Sequence, residues 1–268
     1  MLAYRRCEAV YGLIVSPDQP HYPPLPTSKQ EMDENSSRYI DAFNEIEKWL
    51  RTQVDDSHRF DLPALIDTVA DSHFAVRRHA AKLKDLNRFR NFVVHDYSRN
   101  RALAAPTKLA ADVISTIRNE LLAPVPLLTL AAKPVATCRP GDTIGSAVAR
   151  MRDGSFSQIP VCEERACLGL LTASTIARWL SVDLAHNGGL VEDKPIAEVL
   201  AHQEDSENHE FLPRSATAAD GLAAFDRFLQ RGIRLEAVLI TENGLPTEGI
   251  LGIVTVHDVP RLGSVPAD

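Results

Sequence analysis

The sequence predicts two domains, an all-α four-helix bundle followed by an α+β domain. Up to Pro124 the apolar residues recur at spacings of three and four, which is typical of amphipathic helices. Beyond Leu127 short strand-like runs alternate with helical ones, and this order occurs twice. A chain of 268 residues is long for one hydrophobic core and suits two domains of about 100 to 150 residues each. We therefore divide the chain into a proline-rich arm at 1–30, a helical bundle at 31–123 and an α+β domain at 124–268.

The first two helices of the bundle are predicted from their apolar periodicity and their end signals. The first spans about Asn35 to Val54, with Ser36 or Ser37 available as its N-cap. The second spans Leu62 to Ser72 and has Pro63 in its first turn, where a missing N–H is harmless.

The third helix, about Phe74 to His95, contains the most basic segment of the chain. Between Val76 and Arg101, eight Lys or Arg and two acidic residues make a local charge of plus six, although the whole chain carries −7. Thr107 is expected to cap the fourth helix. A four-residue spacing places these residues on one face of it: Leu109, Val113, Ile117 and Leu121. Short loops favour an antiparallel bundle, and the basic segment favours an anionic partner such as a phosphate backbone.

The α+β domain contains an internal repeat. Each copy has a strand-like run, a helix, a second strand-like run and another helix. Pro140 corresponds to Pro213, 73 positions later, and Gly169–Thr172 corresponds to Gly252–Thr255, 83 positions later. The second copy therefore carries about ten extra residues, which we place in its hairpin.

The sequence predicts no membrane-spanning helix, because no run of apolar residues approaches the roughly 18 that such a helix needs. The short apolar run after Arg5 and Arg6 lacks the features of a signal peptide, so a cytoplasmic protein without a membrane partner is expected. The four cysteines fit ordinary thiols in a reducing compartment. Cys162 and Cys167 flank a polar turn and could face each other across a hairpin. Their spacing is not that of a zinc knuckle, so no metal site is expected.

The repeated domain resembles a tandem pair of CBS domains, a Bateman module. The resemblance is carried by the strand-to-helix joints Gly169–Thr172 and Gly252–Asp258 together with Ser157–Val161. It places the first copy at about 127–183 and the second at about 195–268. In that family the pair forms a cleft for adenosine-containing ligands, which implies an adenine nucleotide such as AMP, ADP or ATP. A Thr hydroxyl at the joint meets a phosphate, and a carboxylate three residues on accepts hydrogen bonds from the ribose hydroxyls.

The resemblance implies five ligand-binding residues, which are Thr255, Asp258, Thr172, Ile159 and Arg261. Elementary chemistry agrees, since a helix N-terminus offers free N–H groups to a phosphate and a carboxylate accepts hydrogen bonds from a cis-diol. The first copy departs from the pattern, because Thr175 stands where the carboxylate is expected. We therefore place the site at Asp258, with Arg261 or Arg178 as phosphate partner. The alternative is that Asp258 merely caps its helix.

The third helix contains an Arg, a polar residue and a His in close succession, Arg90, Asn91 and His95. With this motif in a helical unit, the bundle resembles a HEPN domain. The resemblance implies a homodimer whose motifs face each other and an endoribonuclease that needs no metal. A His of near-neutral pKa can take the proton of a ribose 2′-OH, and its dimer mate can protonate the leaving oxygen. Arg90 would bind the scissile phosphate and Asn91 would orient one of these groups. The products would be a 2′,3′-cyclic phosphate and a 5′-hydroxyl.

The motif also has a structural alternative. Arg90 would then pair with Asp96 or with a Glu of the first helix, and the bundle would serve only for dimerisation. The basic segment has its own alternative as a solvated helix face. The combined hypothesis is an adenine-nucleotide-sensing protein whose bundle cleaves RNA at a dimer interface. One rival is a nucleotide-binding regulator with an inactive bundle, and the other is an interaction module in which Lys82, Lys84 and Arg88 dock an acidic partner.

Overall fold

The computed structural model describes the backbone of residues 29–97, 105–186, 193–203 and 208–263, and the side chains of 34–91, 105–185, 193–203 and 208–263. The chain divides into two compact units, with the boundary between Pro124 and Val125. The predicted arm at 1–30 lies outside the described residues, except for the first two residues of a helix.

The described residues of the first unit form helices α1 Lys29–Thr52, α2 Leu62–Ser72, α3 Phe74–Tyr97 and α4 Lys108–Leu122, with a 3-10 turn at Ser57–Arg59. Helix α1 packs along α4, and α2 packs along α3. The core is made of fully buried apolar side chains, among them Tyr39, Phe43, Ile46, Leu50, Leu65, Ile66, Leu83, Ile114 and Ile117. The all-helical class of this unit is confirmed, and the four-helix bundle stays a prediction.

Local end signals fix the starts of α2 and α4. The Asp61 carboxylate accepts a hydrogen bond from the Ala64 amide at 2.9 Å, and the Thr107 hydroxyl accepts one from the Ala110 amide at 3.2 Å. Each cap satisfies an amide that has no partner inside its helix, which is why these helices begin where the sequence predicts.

The predicted start of the first helix was wrong, since α1 begins at Lys29 rather than near Asn35. Ser37 lies inside the helix, where its hydroxyl donates to the Asp41 carboxylate at 3.2 Å. The residues from Lys29 to Asn35 contain good helix formers and neither Pro nor Gly, so the helix extends through them.

The predicted apolar face of the fourth helix was also partly wrong. Leu109 is 44% exposed, and the buried residues of α4 are Ala111, Ile114, Ile117 and Leu121. Four residues turn an α-helix by about 400°, so a strict four-residue series drifts by about 40° per step and leaves the core.

The second unit contains the repeated strands and helices. In the first copy these are helices α5 Leu127–Leu130 and α6 Ile144–Gly154, strands β1 Gln158–Glu163 and β2 Ala166–Thr172, and helix α7 Ala173–His186. Helix α8 Ile196–Leu200 follows. In the second copy they are strand β3 His209–Pro213, helix α9 Ala218–Gln230, strands β4 Ala237–Thr241 and β5 Gly252–Thr255, a 3-10 turn Val256–Asp258 and helix α10 Val259–Leu262. The α+β class of this unit is confirmed.

The strands form two small sheets. β1 and β2 make an antiparallel hairpin, while β4 pairs with β3 in parallel and with β5 antiparallel. Residues 164–165 connect the first hairpin and residues 242–251 connect β4 to β5. Between the paired residues Gln158 and Thr172, and Ala237 and Thr255, the second hairpin is four residues longer than the first, and the other six extra residues precede β4, so the placement of all ten in the hairpin was only partly right.

The core of this unit has three parts, one in each copy and one between them. Side chains alternate along β2, so Leu171 packs in the core of the first copy and Leu170 faces the second. The core between the copies consists of Cys167, Leu170, Ala237, Leu239 and Ile253. Both faces of the strands are therefore buried, which explains their almost continuous apolar sequence.

No helix in the described part of the chain is long and apolar enough to cross a membrane. Over the same residues, His, Cys, Asp and Glu side chains form no group of three or more that could hold a metal ion.

Candidate functional site

The predicted ligand site lies where β5 ends. Thr255 is the last residue of the strand, and the 3-10 turn Val256–Asp258 leads directly into α10. The neighbouring strand holds this joint, because Thr255 pairs with Ala237 and the Val256 amide donates to the Glu236 carbonyl at 3.4 Å. The joint is thus fixed at one end of the three-stranded sheet.

Asp258 is oriented by one of its two carboxylate oxygens. Oδ2 accepts hydrogen bonds from the Thr255 amide at 2.9 Å and from the Thr255 hydroxyl at 3.0 Å. Oδ1 lies 3.7 Å from Nη1 of Arg261, a separation longer than a hydrogen bond. The side chain of Asp258 is 24% exposed and that of Arg261 is 67% exposed. Asp258 therefore does cap its turn, and its second oxygen remains beside an exposed guanidinium.

The corresponding joint of the first copy is closed. The hydroxyls of Thr172 and Thr175 lie 3.0 Å apart, and the Thr175 amide donates to the Thr172 hydroxyl at 3.1 Å. Both side chains are buried. The joint has no carboxylate, and the hydroxyl of Thr172, a predicted ligand-binding residue, is occupied by its neighbour.

Ile159, another predicted ligand-binding residue, has no exposed surface. It packs in the core of the first copy against residues such as Ile144, Val161 and Leu171. The structure thus brings Thr255, Asp258 and Arg261 together and places Thr172 and Ile159 in the interior.

Sequence reasoning missed the residues that lie beside Thr255 across the sheet. Ala237 pairs with Thr255 on one side and with His209 on the other, so the three side chains share one face. This is the face that packs on the first copy, since Leu239 and Ile253 of the core between the copies lie on it. The small side chain of Ala237 separates His209 and Thr255, whose strands are about 10 Å apart. Strand register between distant segments is not readable from a single sequence, so no signal pointed to His209.

His209 is largely buried and held in place. Its Nδ1 lies 2.9 Å from Oδ1 of Asn208, and its ring meets the Phe211 ring edge-on with centroids 5.3 Å apart. Burial lowers the pKa of His209, so its imidazole is neutral at neutral pH. A neutral, fixed ring suits stacking or hydrogen bonding with an uncharged base.

In the helical unit, the predicted catalytic Arg90 is engaged by three residues of α1. Its Nη2 donates to Oδ1 of Asn44 at 2.7 Å, and its Nη1 lies 3.6 Å from Oε2 of Glu47. Its guanidinium carbon lies 5.2 Å from the centroid of the Phe43 ring. The side chain is 24% exposed. A pairing of Arg90 with a Glu of the first helix is what the structural alternative to a catalytic role predicts.

The other two motif residues lie on the same helix as Arg90. Asn91 is exposed on α3. His95 follows one turn later in α3, and its side chain lies outside the described residues.

Acidic residues of the same unit neutralise much of the basic segment. The ion pairs are Arg78–Glu120, Lys84–Asp67, Arg88–Asp85 and Arg90–Glu47. Three of the four acids come from other helices, so the local charge of plus six is not the charge that the folded surface presents. The field available to attract a phosphate backbone is correspondingly weaker.

Glu120 is one of the two less exposed of these acids and contacts two residues of α3. Its Oε2 lies 2.8 Å from Nε2 of His79, and its Oε1 lies 3.3 Å from Nη1 of Arg78. Burial raises the pKa of Glu120, but the hydrogen bond and charge of His79 and the charge of Arg78 outweigh that effect. The net pKa is lower than that of an ordinary Glu, so this cluster stabilises the ionised carboxylate.

Part of the second unit is similar to a known domain family. Residues 129–182 match the family model of the CBS domain. This range covers the first copy of the repeat, and the second copy lies outside it. No curated protein matches the sequence.

Several solved structures are similar to about half of the chain. An uncharacterized conserved protein from Pyrococcus horikoshii is 19% identical, with a TM-score of 0.40, and the similarity covers 54% of this chain and 96% of that one. The CBS domain pair of protein MJ0100, solved in complex with 5′-methylthioadenosine and S-adenosyl-L-methionine, is 20% identical, with a TM-score of 0.38 over 52% and 96% of the two chains. A CBS-domain containing protein from Agrobacterium tumefaciens is 19% identical, with a TM-score of 0.38 over 51% and 90%.

Proposed function

We propose that the second unit is a regulatory module that binds an adenine nucleotide at the joint formed by Thr255, Asp258 and Arg261. The observation that carries the proposal is the divided role of the Asp258 carboxylate. Oδ2 accepts two hydrogen bonds from Thr255, whereas Oδ1 lies 3.7 Å from Nη1 of Arg261. The side chain of Asp258 is partly exposed. A carboxylate fixed in this way accepts hydrogen bonds from ribose hydroxyls without further loss of conformational freedom.

The surroundings supply groups for the other parts of a nucleotide. The exposed guanidinium of Arg261 is a partner for a phosphate, because Arg binds phosphate oxygens in a bidentate manner. On the same face of the sheet, Ala237 lies between Thr255 and the neutral ring of His209. Adenine is the base that the resemblance to CBS domain pairs implies, and the match of residues 129–182 to that family supports it.

Calorimetric titration of AMP, ADP and ATP into the full-length protein tests the proposal. We expect at least one of them to bind more tightly than about 1 mM, which corresponds to about −4 kcal/mol. In the Asp258→Asn variant the amide oxygen still accepts from Thr255, but the charge that faces the ribose is lost. Removing hydrogen bonds to a charged group costs about 1.5 to 3 kcal/mol, so we expect a roughly 10- to 150-fold weaker affinity.

The chain offers a matched control in the same copy. The carboxylate of Asp220 accepts from the Thr217 amide at 2.8 Å and from the Thr217 hydroxyl at 2.8 Å, at the start of α9. Asp220→Asn changes an equivalent cap away from the proposed site, so its nucleotide affinity should match that of the wild type. Equal weakening by both variants would mean that the effect is loss of stability, and the absence of binding by all three nucleotides would contradict the proposal.

For the helical unit, we propose that Arg90 has a structural role, because Asn44, Glu47 and Phe43 already engage its guanidinium. This is the alternative in which the unit has no catalytic function and serves for dimerisation. Cleavage of RNA by Arg90, Asn91 and His95 stays a prediction that rests on the resemblance to HEPN domains. A homodimer, an RNA partner and a cytoplasmic location likewise stay predictions.

RNA cleavage in EDTA by the wild type and by the His95→Ala variant decides between these two functions of the helical unit. A ribonuclease would release 2′,3′-cyclic phosphate ends that the variant no longer makes. A structural role for the motif predicts no cleavage by either protein, with and without nucleotide, while sedimentation shows whether the protein is a dimer.

A further inference from the structure

Two thiols face each other at the tip of the first hairpin. Cys162 of β1 and Cys167 of β2 are directly paired residues of an antiparallel ladder. The α-carbons of such pairs lie about 4.5 to 5.5 Å apart, within the range of about 4.4 to 6.8 Å that a disulfide accepts. Both cysteines are free thiols. The pairing therefore places the two cysteines within reach of a disulfide.

A register shift in the hairpin creates this pairing. Val161 pairs with Gly169, whereas the next residue, Cys162, pairs with Cys167, so Leu168 is the extra residue of a bulge. Leu168 is accordingly 54% exposed. Without the shift Cys162 would face Leu168, and the two thiols would point to opposite faces of the hairpin.

The pair lies at the junction of the two copies and close to solvent. Cys162 is partly exposed, while Cys167 is 8% exposed and belongs to the core between the copies. The Cys167 amide donates to the Pro246 carbonyl of the second copy at 2.7 Å, and its thiol donates to the Gly169 carbonyl at 3.5 Å. A bond between the thiols would therefore lock the hairpin at the point where it holds the second copy.

We propose that Cys162 and Cys167 are a site of reversible oxidation by a peroxide, with an intramolecular disulfide as the product. The thiolate of one cysteine attacks a peroxide oxygen, the O–O bond breaks, and a sulfenic acid and hydroxide form. The thiol of the other attacks the sulfenic sulfur, the S–S bond forms, and the S–OH oxygen leaves as water. Overall, two thiols and one hydrogen peroxide give one disulfide and two waters. In a reducing compartment such a disulfide is transient, as expected of a redox-sensing pair.

The neighbouring thiol also favours the reactive form of Cys167. The Cys162 thiol hydrogen-bonds to Cys167 and lowers the Cys167 pKa, against the opposing effect of burial. Cys138, by contrast, forms a backbone bridge with Val161 and is buried in the core of the first copy, whereas Cys162 and Cys167 contact the core between the copies. Of these three cysteines, the geometry thus selects the hairpin pair for oxidation.

Peptide mapping of the full-length protein tests the proposal. The reduced protein is treated with hydrogen peroxide, its free thiols are blocked with N-ethylmaleimide, and it is digested with trypsin without reduction. Trypsin cleaves after Arg165 in the turn, so a disulfide would join peptide 153–165 to peptide 166–178. We expect this linked pair to replace both free peptides, and dithiothreitol to release them.

Variants identify the partners. The linked pair should persist in Cys138→Ser and disappear in Cys162→Ser, with circular dichroism as the check that each variant is folded. Recovery of peptides 153–165 and 166–178 as separate blocked or over-oxidised thiols would overturn the proposal, and so would links predominantly to Cys138 or Cys7. If Cys162→Ser does not fold, the wild-type peptide map alone distinguishes these outcomes.

Discussion

Replacing Arg90 by Met tests most sharply whether this residue stabilises the helical unit or is available for catalysis. The substitution keeps an unbranched apolar stem and removes the guanidinium. It therefore breaks the hydrogen bond to Asn44 at 2.7 Å, the ion pair with Glu47 at 3.6 Å and the contact with the Phe43 ring.

The expected cost follows from these three contacts. A hydrogen bond between a charged and a neutral group contributes about 1.5 to 3 kcal/mol when buried, and less at the 24% exposure of Arg90. The ion pair contributes about 1 kcal/mol at most, and the cation–π contact about 0.5 to 1 kcal/mol. Because one guanidinium makes all three, the values do not add, and we expect the free energy of unfolding to fall by about 2 kcal/mol.

Urea unfolding followed by tryptophan fluorescence measures this change in the helical unit. The chain has two tryptophans, so a Trp179→Phe background leaves Trp49 of α1 as the reporter. With a urea dependence of about 1 to 3 kcal/mol per molar, the transition midpoint should move by roughly 1 M.

Arg88→Met is the matched control on the same helix. Arg88 pairs with Asp85 at 2.6 Å, but its side chain is 79% exposed, so its loss should cost less than about 0.5 kcal/mol. Equal midpoint shifts in the two variants would refute the structural role of Arg90. No shift in either would mean that its contacts with α1 do not stabilise the fold, leaving the guanidinium available for a phosphate.

Three further predictions concern other parts of the chain. Asp61→Ala removes the cap of α2 and should lower the free energy of unfolding of the helical unit by about 1 kcal/mol, measured by the same urea transition. Gly252→Ala places a Cβ 2.8 Å from the Cβ of Ala131, so it should overpack the second unit and cost about 1 to 3 kcal/mol in thermal unfolding followed by circular dichroism. The pKa of Glu120 is lower in the folded protein, despite burial, because of His79 and its neighbouring Arg. The ionised carboxylate therefore stabilises the fold at pH values above the ordinary Glu pKa of about 4.3. This contribution is lost as the pH falls through the pKa of the folded protein. Unfolding free energies measured from pH 6 down to pH 3 should thus fall less steeply in Glu120→Gln than in the wild type, and parallel curves would contradict the assignment.

Elements with local end signals were the predictable part of the fold. The bounds of Leu62–Ser72 follow from Asp61 and Pro63, and both act within one turn of the helix. The first helix was misplaced because Ser36 and Ser37 look like caps, whereas helix-forming residues continue before them. A residue acts as an N-cap only where the residues before it are not helical, so the capping residue alone does not determine where a helix begins.

Features that depend on distant residues were not predictable. The basic segment was counted without Asp67, Glu120 and Glu47, which other helices bring to it in the folded unit. Local charge counts miss such partners, because ion pairs form between residues that are far apart in sequence. The position of His209 beside the site depends on strand register in the same way.

The hairpin cysteines illustrate both cases. That Cys162 and Cys167 could face each other was predictable from the polar turn between them. The bulge at Leu168 that sets their pairing was not predictable. A one-residue shift in register depends both on the geometry of the turn and on the packing of the core between the copies.

Hydrogen exchange of the full-length protein, measured with and without saturating adenine nucleotide, would locate the ligand site without any substitution. We expect slower exchange in peptides that contain Thr255–Leu262, where Asp258 and Arg261 would bind the ligand. No comparable change is expected at the corresponding joint of the first copy, where Thr172 and Thr175 are buried against each other. Protection at Thr172–Thr175 instead, or no protection at either joint by AMP, ADP or ATP, would contradict the proposed site.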